Sequence, residues 1–287
     1  MSSRKILLGD NPFFGIDHLS QERARERLKI LTGFEKITEV MQYVSELGVN
    51  GFVVSTHPDL RPLVQHIKKN TDLLKKMEFY PILPYAQGYV AKVTEKGTAG
   101  AINDILSNIS AKNKLKVLYK GSLGLIKKDI EKLIESFIDV ELDSLKDTKI
   151  NTIFLHDVIT DLTLGLGLQN VLNTYVEYVK DHYKIKVGLV TKNFPLLVNK
   201  LTEWDMKIST IMTSFNPIGY QMNPSKSECE KSLKQFHNVI AMNTMAGGFV
   251  SPLQAANYIS GLDLDAVVGM STQKHALETI TAFRKKY

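Results

Sequence analysis

Apolar residues recur along the chain in two rhythms. Ile37, Val40, Met41, Val44 and Leu47 follow helical spacing, as do Ile130, Leu133, Ile134, Phe137 and Ile138, and again Leu168, Val171, Leu172, Tyr175 and Val176. Each set lays one apolar stripe along a helix and predicts an amphipathic helix with a buried face. Between and beside them run short apolar stretches at 5–8, 51–54, 79–83, 151–155, 185–190, 209–213, 239–242 and 266–268. Runs of this length without strict alternation predict strands covered on both faces, as parallel strands are. Ser251, Pro252 and Gln254 supply an N-cap, a first-turn proline and a capping-box glutamine for a further helix, with Gly261 as its expected stop.

Strand followed by helix is the repeating unit from Phe34 onward, and no Pro-, Ser- or Gly-rich linker divides it. Eight strands alternating with helices predict an α/β fold of the (β/α)8 TIM-barrel type, one domain over residues 1–287. An open doubly wound sheet would normally carry a glycine fingerprint after its first strand, and Gly9, Asp10, Asn11 and Pro12 do not make one. A further apolar run at 115–119 is either a barrel strand or part of an insertion.

Composition narrows the class. With 44% hydrophobic and 23% charged residues the chain can bury a sizeable core, which excludes disordered and collagen-like classes. Its apolar runs fall far short of the roughly 18 residues a membrane-spanning helix needs. The first residues lack the apolar stretch of a secretory signal, so a soluble protein without a membrane partner is expected. The net charge of +6 is spread over basic residues interleaved with acids, which argues against a nucleic-acid partner. Cys229, the single cysteine, has no intrachain disulfide partner, and a cytoplasmic location is the expectation. The oligomeric state is left open.

Barrels of this type place their chemistry at the C-terminal ends of the strands, so polar residues that close the apolar runs are the candidates. His156 ends a strand and is followed by Asp157, a carboxylate able to orient an imidazole for proton transfer. Asp10, His57 and Tyr85 are further catalytic candidates, although Asp10 could equally cap the turn before Pro12 and His57 open a helix before Pro58. Asn11, His18, Ser55, Thr191, Asn193, Ser214, Asn216 and Asn243 bring amides, hydroxyls and an imidazole suited to a small ligand rich in hydroxyl or oxo groups. Gly247, Gly248, Ser271, Thr272 and Lys274, with His275 beside them, lie where barrels hold a phosphate through backbone N–H groups and a helix N-terminus. The strand-end histidines and acids Asp10, His18, His57, His156 and Asp157 include no two histidines spaced two or four residues apart, so no metal site is expected. The charged stretch 21–27 reads as a solvated helix.

From residue 127 to the C-terminus, and more faintly over 48–83, the chain resembles the aldo-keto reductase superfamily. Residues 151–157 resemble that family's fourth strand ending in its catalytic histidine, which makes His156 the match, and 188–194 resemble the fifth-strand segment. Residues 209–216 and 241–250 resemble the sixth strand and the seventh-strand loop. Residues 268–279 resemble the eighth strand with its cofactor-phosphate loop and a Glu, here Glu278. In this registration 115–119 falls inside the connection 84–126, which implies an inserted helical segment there, ahead of a helix starting near Lys127. The resemblance implies a barrel and an NADP(H) site.

The remaining catalytic positions depart from the pattern. Val53 stands where the family has an Asp, no Tyr follows at the expected place, and the third-strand Lys is replaced by a residue near Pro84. Met212 and Met242 replace the Gln and the aromatic that contact nicotinamide, so bound NADP(H) is possible but not supported by those positions. The leading expectation is therefore a small-molecule enzyme with a rebuilt site that acts on a polar or phosphorylated metabolite through His156. An NADP(H)-dependent reductase with a relocated proton donor, Tyr85 or His57, is the alternative, and a non-catalytic ligand-binding barrel is a third.

Overall fold

The computed structural model of the chain describes residues 4–15, 33–84 and 123–285, and of residues 123–131 and 133 the backbone alone. The strands are β1 (Ile6–Gly9), β2 (Gly51–Ser55), β3 (Glu78–Leu83), β4 (Lys149–Ile150), β5 (Thr152–Leu155), β6 (Lys186–Thr191), β7 (Thr210–Ser214), β8 (Val239–Met242) and β9 (Asp265–Gly269). All pair in parallel. β1 lies between β2 and β9, and β2 also pairs with β3, so the sheet closes on itself. β4 and β5 pair with successive parts of β3 and together form one stave, which gives the eight-stave wall of a (β/α)8 barrel.

Ten α-helices accompany these strands among the described residues: α1 (Gly33–Glu46), α2 (Leu60–Ile67), α3 (Thr71–Lys76), α4 (Leu123–Leu142), α5 (Asp157–Gly165), α6 (Gln169–Tyr178), α7 (Phe194–Glu203), α8 (Lys226–Ser232), α9 (Pro252–Leu262) and α10 (Gln273–Arg284). Among the described residues no helix is long and apolar enough to cross a membrane.

The strand side chains sort into two apolar layers. Leu8, Phe52, Phe79, Ile153, Leu189 and Ile211 belong to the large cluster shared with the helices. Leu7, Val53, Tyr80, Phe154, Val190, Met212 and Ile240 fill the barrel interior. Successive strand residues thus face opposite sides although nearly all are apolar. Two glycines make room for the interior. A Cβ on Gly188 would sit 2.4 Å from the Phe154 ring, and one on Gly51 would sit 2.2 Å from Leu7 Cδ2.

The fourth stave carries a feature the apolar pattern hides. Glu78 pairs with Lys149 and Phe79 with Ile150, an offset of 71, whereas Ile82 pairs with Phe154 and Leu83 with Leu155, an offset of 72. One extra residue has entered the stave between β4 and β5, which is a β-bulge. Asn151 lies there, its backbone N–H donating to Phe79 O at 2.9 Å and its side chain donating to Glu78 Oε2 at 3.0 Å. A one-residue shift exchanges the two faces of a strand. Ile150 packs outward with the helices, yet Phe154, four residues on, fills the interior. His156 inherits the interior side from Phe154.

Two element boundaries differ from the sequence expectation. α4 begins at Leu123 rather than near Lys127, so its first turn takes up the end of the segment assigned to the insertion. α9 runs through Gly261 to Leu262 and is capped by Asp263, whose φ of 55° is left-handed. The extra residues carry Leu262 onto the core, and Asp tolerates the left-handed cap better than most side chains. The capping box of Ser251 and Gln254 and the proline in the first turn are as expected. The run 115–119, the rest of the inserted segment over 85–122 and the stretch 21–27 lie outside the described residues.

Candidate functional site

A cavity of about 870 Å³ opens at the C-terminal mouth of the barrel. Its floor is the top of the interior core, where Val53, Ile82, Val190, Met212, Met242 and Val267 meet it. Polar groups stand above this floor: Asp10, Asn11, Ser55, His156, Asp157, Lys192, Gln221, Asn243, Ser271 and His275 all line the space. An apolar base with a few convergent polar groups, in the size range of small-molecule sites, is the form expected of a ligand pocket.

His156 is set by three neighbours. Its backbone N–H donates to Leu83 O at 2.7 Å, which continues the ladder of β3 and β5, and the residue then caps α5. Its Nδ1 lies 2.6 Å from Asp157 Oδ1 and 3.2 Å from the Val158 backbone nitrogen. One ring nitrogen cannot donate to the carboxylate and accept from that N–H at once. The shorter, charge-assisted contact decides, so we assign the proton to Nδ1 and the lone pair to Nε2. Asp157 is buried, and its second oxygen, Oδ2, lies 3.3 Å from Lys192 Nζ. Burial opposes its ionisation, but the hydrogen bond and charge of His156, together with Lys192, hold its pKa down to about 2.

Asp10 ends β1 across the mouth. Its Oδ2 accepts the Ser55 backbone N–H at 2.7 Å and the Ser55 hydroxyl at 2.6 Å, tying the tops of β1 and β2 together. Burial raises its pKa, only partly offset by these bonds and by the charge of His156. On the far rim Asn243, at φ 52°, donates to Ser214 Oγ at 2.9 Å and to Gln221 Oε1 at 3.1 Å. Gly247 and Gly248 follow with φ of 70° and 99°, values a residue with a Cβ rarely adopts, so their backbone can face the cavity without side chains in the way.

The cavity therefore gathers His156, Asp157, Asp10, Asn11, Ser55, Asn243, Gly247, Gly248 and Ser271 from the sequence candidates. Others hold the frame and are not among the lining residues. His57 stacks on Phe14 with ring centroids 4.5 Å apart, and burial lowers its pKa. Thr191 donates to Asp161 Oδ1 at 2.5 Å, and Asn193 caps α7 by accepting from Leu196 N at 3.3 Å. Ser214 is buried beneath Asn243, and Asn216 braces its own loop by bonds with Tyr220 at 2.7 and 2.8 Å. Thr272 caps α10 by accepting from His275 N at 3.2 Å, and Lys274 is exposed in the first turn of that helix. Tyr85 and His18 lie outside the described residues.

Lys192 and Gln221 are lining residues that sequence reasoning passed over. Lys192 sits between Thr191 and Asn193 directly after β6, so its place at a strand end was the available signal. Gln221 lies in a loop with no periodic cue. Among the described residues no group of three or more His, Cys, Asp or Glu side chains could hold a metal ion.

No protein-family model matches the chain, and no curated protein matches its sequence. Solved structures do match its fold. A candidate aldo-keto reductase from Pseudomonas aeruginosa superposes with a TM-score of 0.61 at 13% identity, covering 99% of this chain and 91% of that one. An aldo-keto reductase from a Medee basin deep-sea metagenome library gives 0.58 at 11% identity, over 98% of this chain and 86% of that one. The silkworm aldo-keto reductase in complex with NADPH gives 0.55 at 11% identity, over 98% of this chain and 80% of that one. The chain has the barrel fold of the aldo-keto reductases over nearly its whole length.

Proposed function

We propose that this chain is a small-molecule enzyme whose active site is the cavity at the barrel mouth, with His156 as its proton-transfer group. The observation that carries this reading is the 2.6 Å contact between His156 Nδ1 and the Asp157 carboxylate, both on the cavity wall. Asp157 fixes the tautomer and stabilises the imidazolium once Nε2 has taken a proton, as the carboxylate of a catalytic triad does. Hydroxyl and amide groups of Ser55, Asn11 and Asn243 suit a polar metabolite. The left-handed turn at Gly247 and Gly248, with Ser271 beside it, suits a phosphate or carboxylate on that metabolite.

A second reading is NADP(H)-dependent oxidoreduction. The fold shared with a reductase solved with NADPH favours it. Val53, Met212 and Met242 on the cavity floor weigh against it, because apolar side chains there supply neither a proton donor nor an amide contact.

Titration with NADPH, followed by ligand fluorescence and melting temperature, separates the two, since a ligand of the folded state raises stability by mass action. No shift at millimolar NADPH supports the acid–base reading, and micromolar binding moves the assignment to the reductase. For a substrate found by screening phosphorylated and hydroxylated metabolites, His156→Ala is expected to lower kcat by roughly 100-fold or more. Undiminished turnover in that variant would remove His156 from the mechanism.

A further inference from the structure

Lys192 is gripped twice by one helix. Asp161 on α5 accepts the Lys192 backbone N–H at 2.9 Å and the neighbouring Thr191 hydroxyl at 2.5 Å. One turn earlier on the same helix, Asp157 Oδ2 meets the Lys192 ammonium at 3.3 Å, while Oδ1 holds His156 Nδ1. A single buried carboxylate thus spans an imidazole and an ammonium that both line the cavity. An ammonium has three N–H donors, and a single contact with Asp157 engages one of them. The Lys192 side chain is 46% exposed, so it can still meet a ligand. Beneath it, Val190 and Met212 present an apolar floor that neither donates nor accepts protons.

This arrangement holds a fixed positive charge beside a proton acceptor, which is the pairing that enolisation requires. Resting on the acid–base reading of His156 above, we propose that Lys192 receives the carbonyl oxygen of a small hydroxy-carbonyl substrate while His156 Nε2 removes the proton from the adjacent carbon. The site would then carry out isomerisation or epimerisation. The C–H bond breaks and its proton passes to Nε2. The electron pair left behind forms the C=C bond, and the carbonyl π pair moves onto oxygen, where the ammonium stabilises the charge. For an isomer, the hydroxyl proton of the enediolate moves to the former carbonyl oxygen and His156 Nε2–H returns its proton to the former carbonyl carbon. For an epimer, water delivers a proton to the original carbon from the opposite face, the carbonyl re-forms and Nε2–H gives its proton up to solvent. Nothing is oxidised or reduced overall. Asp161 serves as a positioning residue that holds the backbone of Lys192 in place.

The test is solvent-deuterium exchange followed by proton NMR, with the full chain and dihydroxyacetone phosphate, ribulose 5-phosphate and fructose 6-phosphate as probes. Deuterium is expected to enter the carbon next to the carbonyl of at least one probe. Lys192→Met is expected to slow that exchange by roughly 100-fold, and Lys192→Arg, which keeps the charge, by less than about tenfold. Glycolohydroxamate, a stable mimic of an enediolate, is expected to raise the melting temperature of the wild type but not of Lys192→Met. Circular dichroism checks that the variant is folded. Exchange with no probe overturns the proposal. Exchange that is lost in His156→Ala but kept in Lys192→Met overturns the role of Lys192 and leaves the acid–base reading standing. Exchange that survives both substitutions sinks both.

Discussion

Two carboxylates at the mouth of the barrel experience opposite fields. Asp157 has a pKa of about 2, below its ordinary value, despite its burial, because His156 and Lys192 favour its charged form. It therefore contributes stability that is present above about pH 4 and lost as pH falls toward 2. Asp157→Asn is expected to flatten the acid limb of a plot of melting temperature against pH in that window. An unchanged limb would show that the pair does not couple to folding. Asp10 has the reverse sign. Burial raises its pKa, so its contribution is fully present below its ordinary value near 3.8 and is lost as pH rises through the folded value. Asn can accept the same two bonds from Ser55 without a charge to bury. Asp10→Asn is thus expected to raise the melting temperature at pH 8 and leave it unchanged at pH 3, and a fall at pH 8 would count against this account. The residue types at these positions were readable as strand-end chemistry, but their opposite electrostatics follow from the fold: burial outweighs the Ser55 hydrogen bonds at Asp10, whereas at Asp157 the adjacent His156, joined by Lys192 from the end of β6, outweighs burial.

Among the elements, the fourth stave decides what the mouth contains. Its apolar run was legible, and so was its end at His156. The bulge at Asn151 was not, because an inserted residue leaves a run of apolar side chains looking uniform, and only pairing with β3 reveals the change of offset. The interior beneath depends on the same stave. Phe154 fills the space that Gly188 leaves, so Gly188→Ala forces an aromatic ring to move within a packed core. A loss of about 1–3 kcal/mol in urea unfolding is expected, with no change in the slope against denaturant. A neutral result would mean that the ring shifts without strain. The start of α9 is a local matter, and its cap was correctly legible in Ser251, Pro252 and Gln254. Ser251→Ala is expected to cost about 1 kcal/mol by the same measurement. The stop of α9 was misread at Gly261, because contact of Leu262 with the core outweighs the local preference of glycine for ending helices.

On the scale of the whole molecule, the interior cluster draws one buried side chain from each of β1, β2, β3, β5, β6, β7 and β8, and the partly buried Ile82, Met242 and Val267 pack against it from β3, β8 and β9. The first and last strands are joined by Lys5 N–H donating to Asp265 Oδ1 at 2.7 Å as well as by the β1–β9 ladder. A wall closed in this way has no edge at which half of it could open alone. Urea unfolding followed by Trp204 fluorescence and by far-ultraviolet circular dichroism is expected to give coincident transitions, and separated midpoints would show that parts of the barrel unfold independently. The sequence by itself determined the alternation of strand and helix, and with it the barrel, because buried parallel strands and amphipathic helices each leave a periodic apolar signature. It also placed His156, Asp157 and Asp10 at strand ends. Only the tertiary structure decided which polar residues face the cavity and which cap helices or brace loops. Thr191, Lys192 and Asn193 are consecutive at one strand end, yet Lys192 alone of the three lines the space, since its neighbours are engaged by Asp161 and by α7. A side chain's direction at a strand end depends on register, bulges and the helix packed against it, and those are settled by partners far away in the sequence.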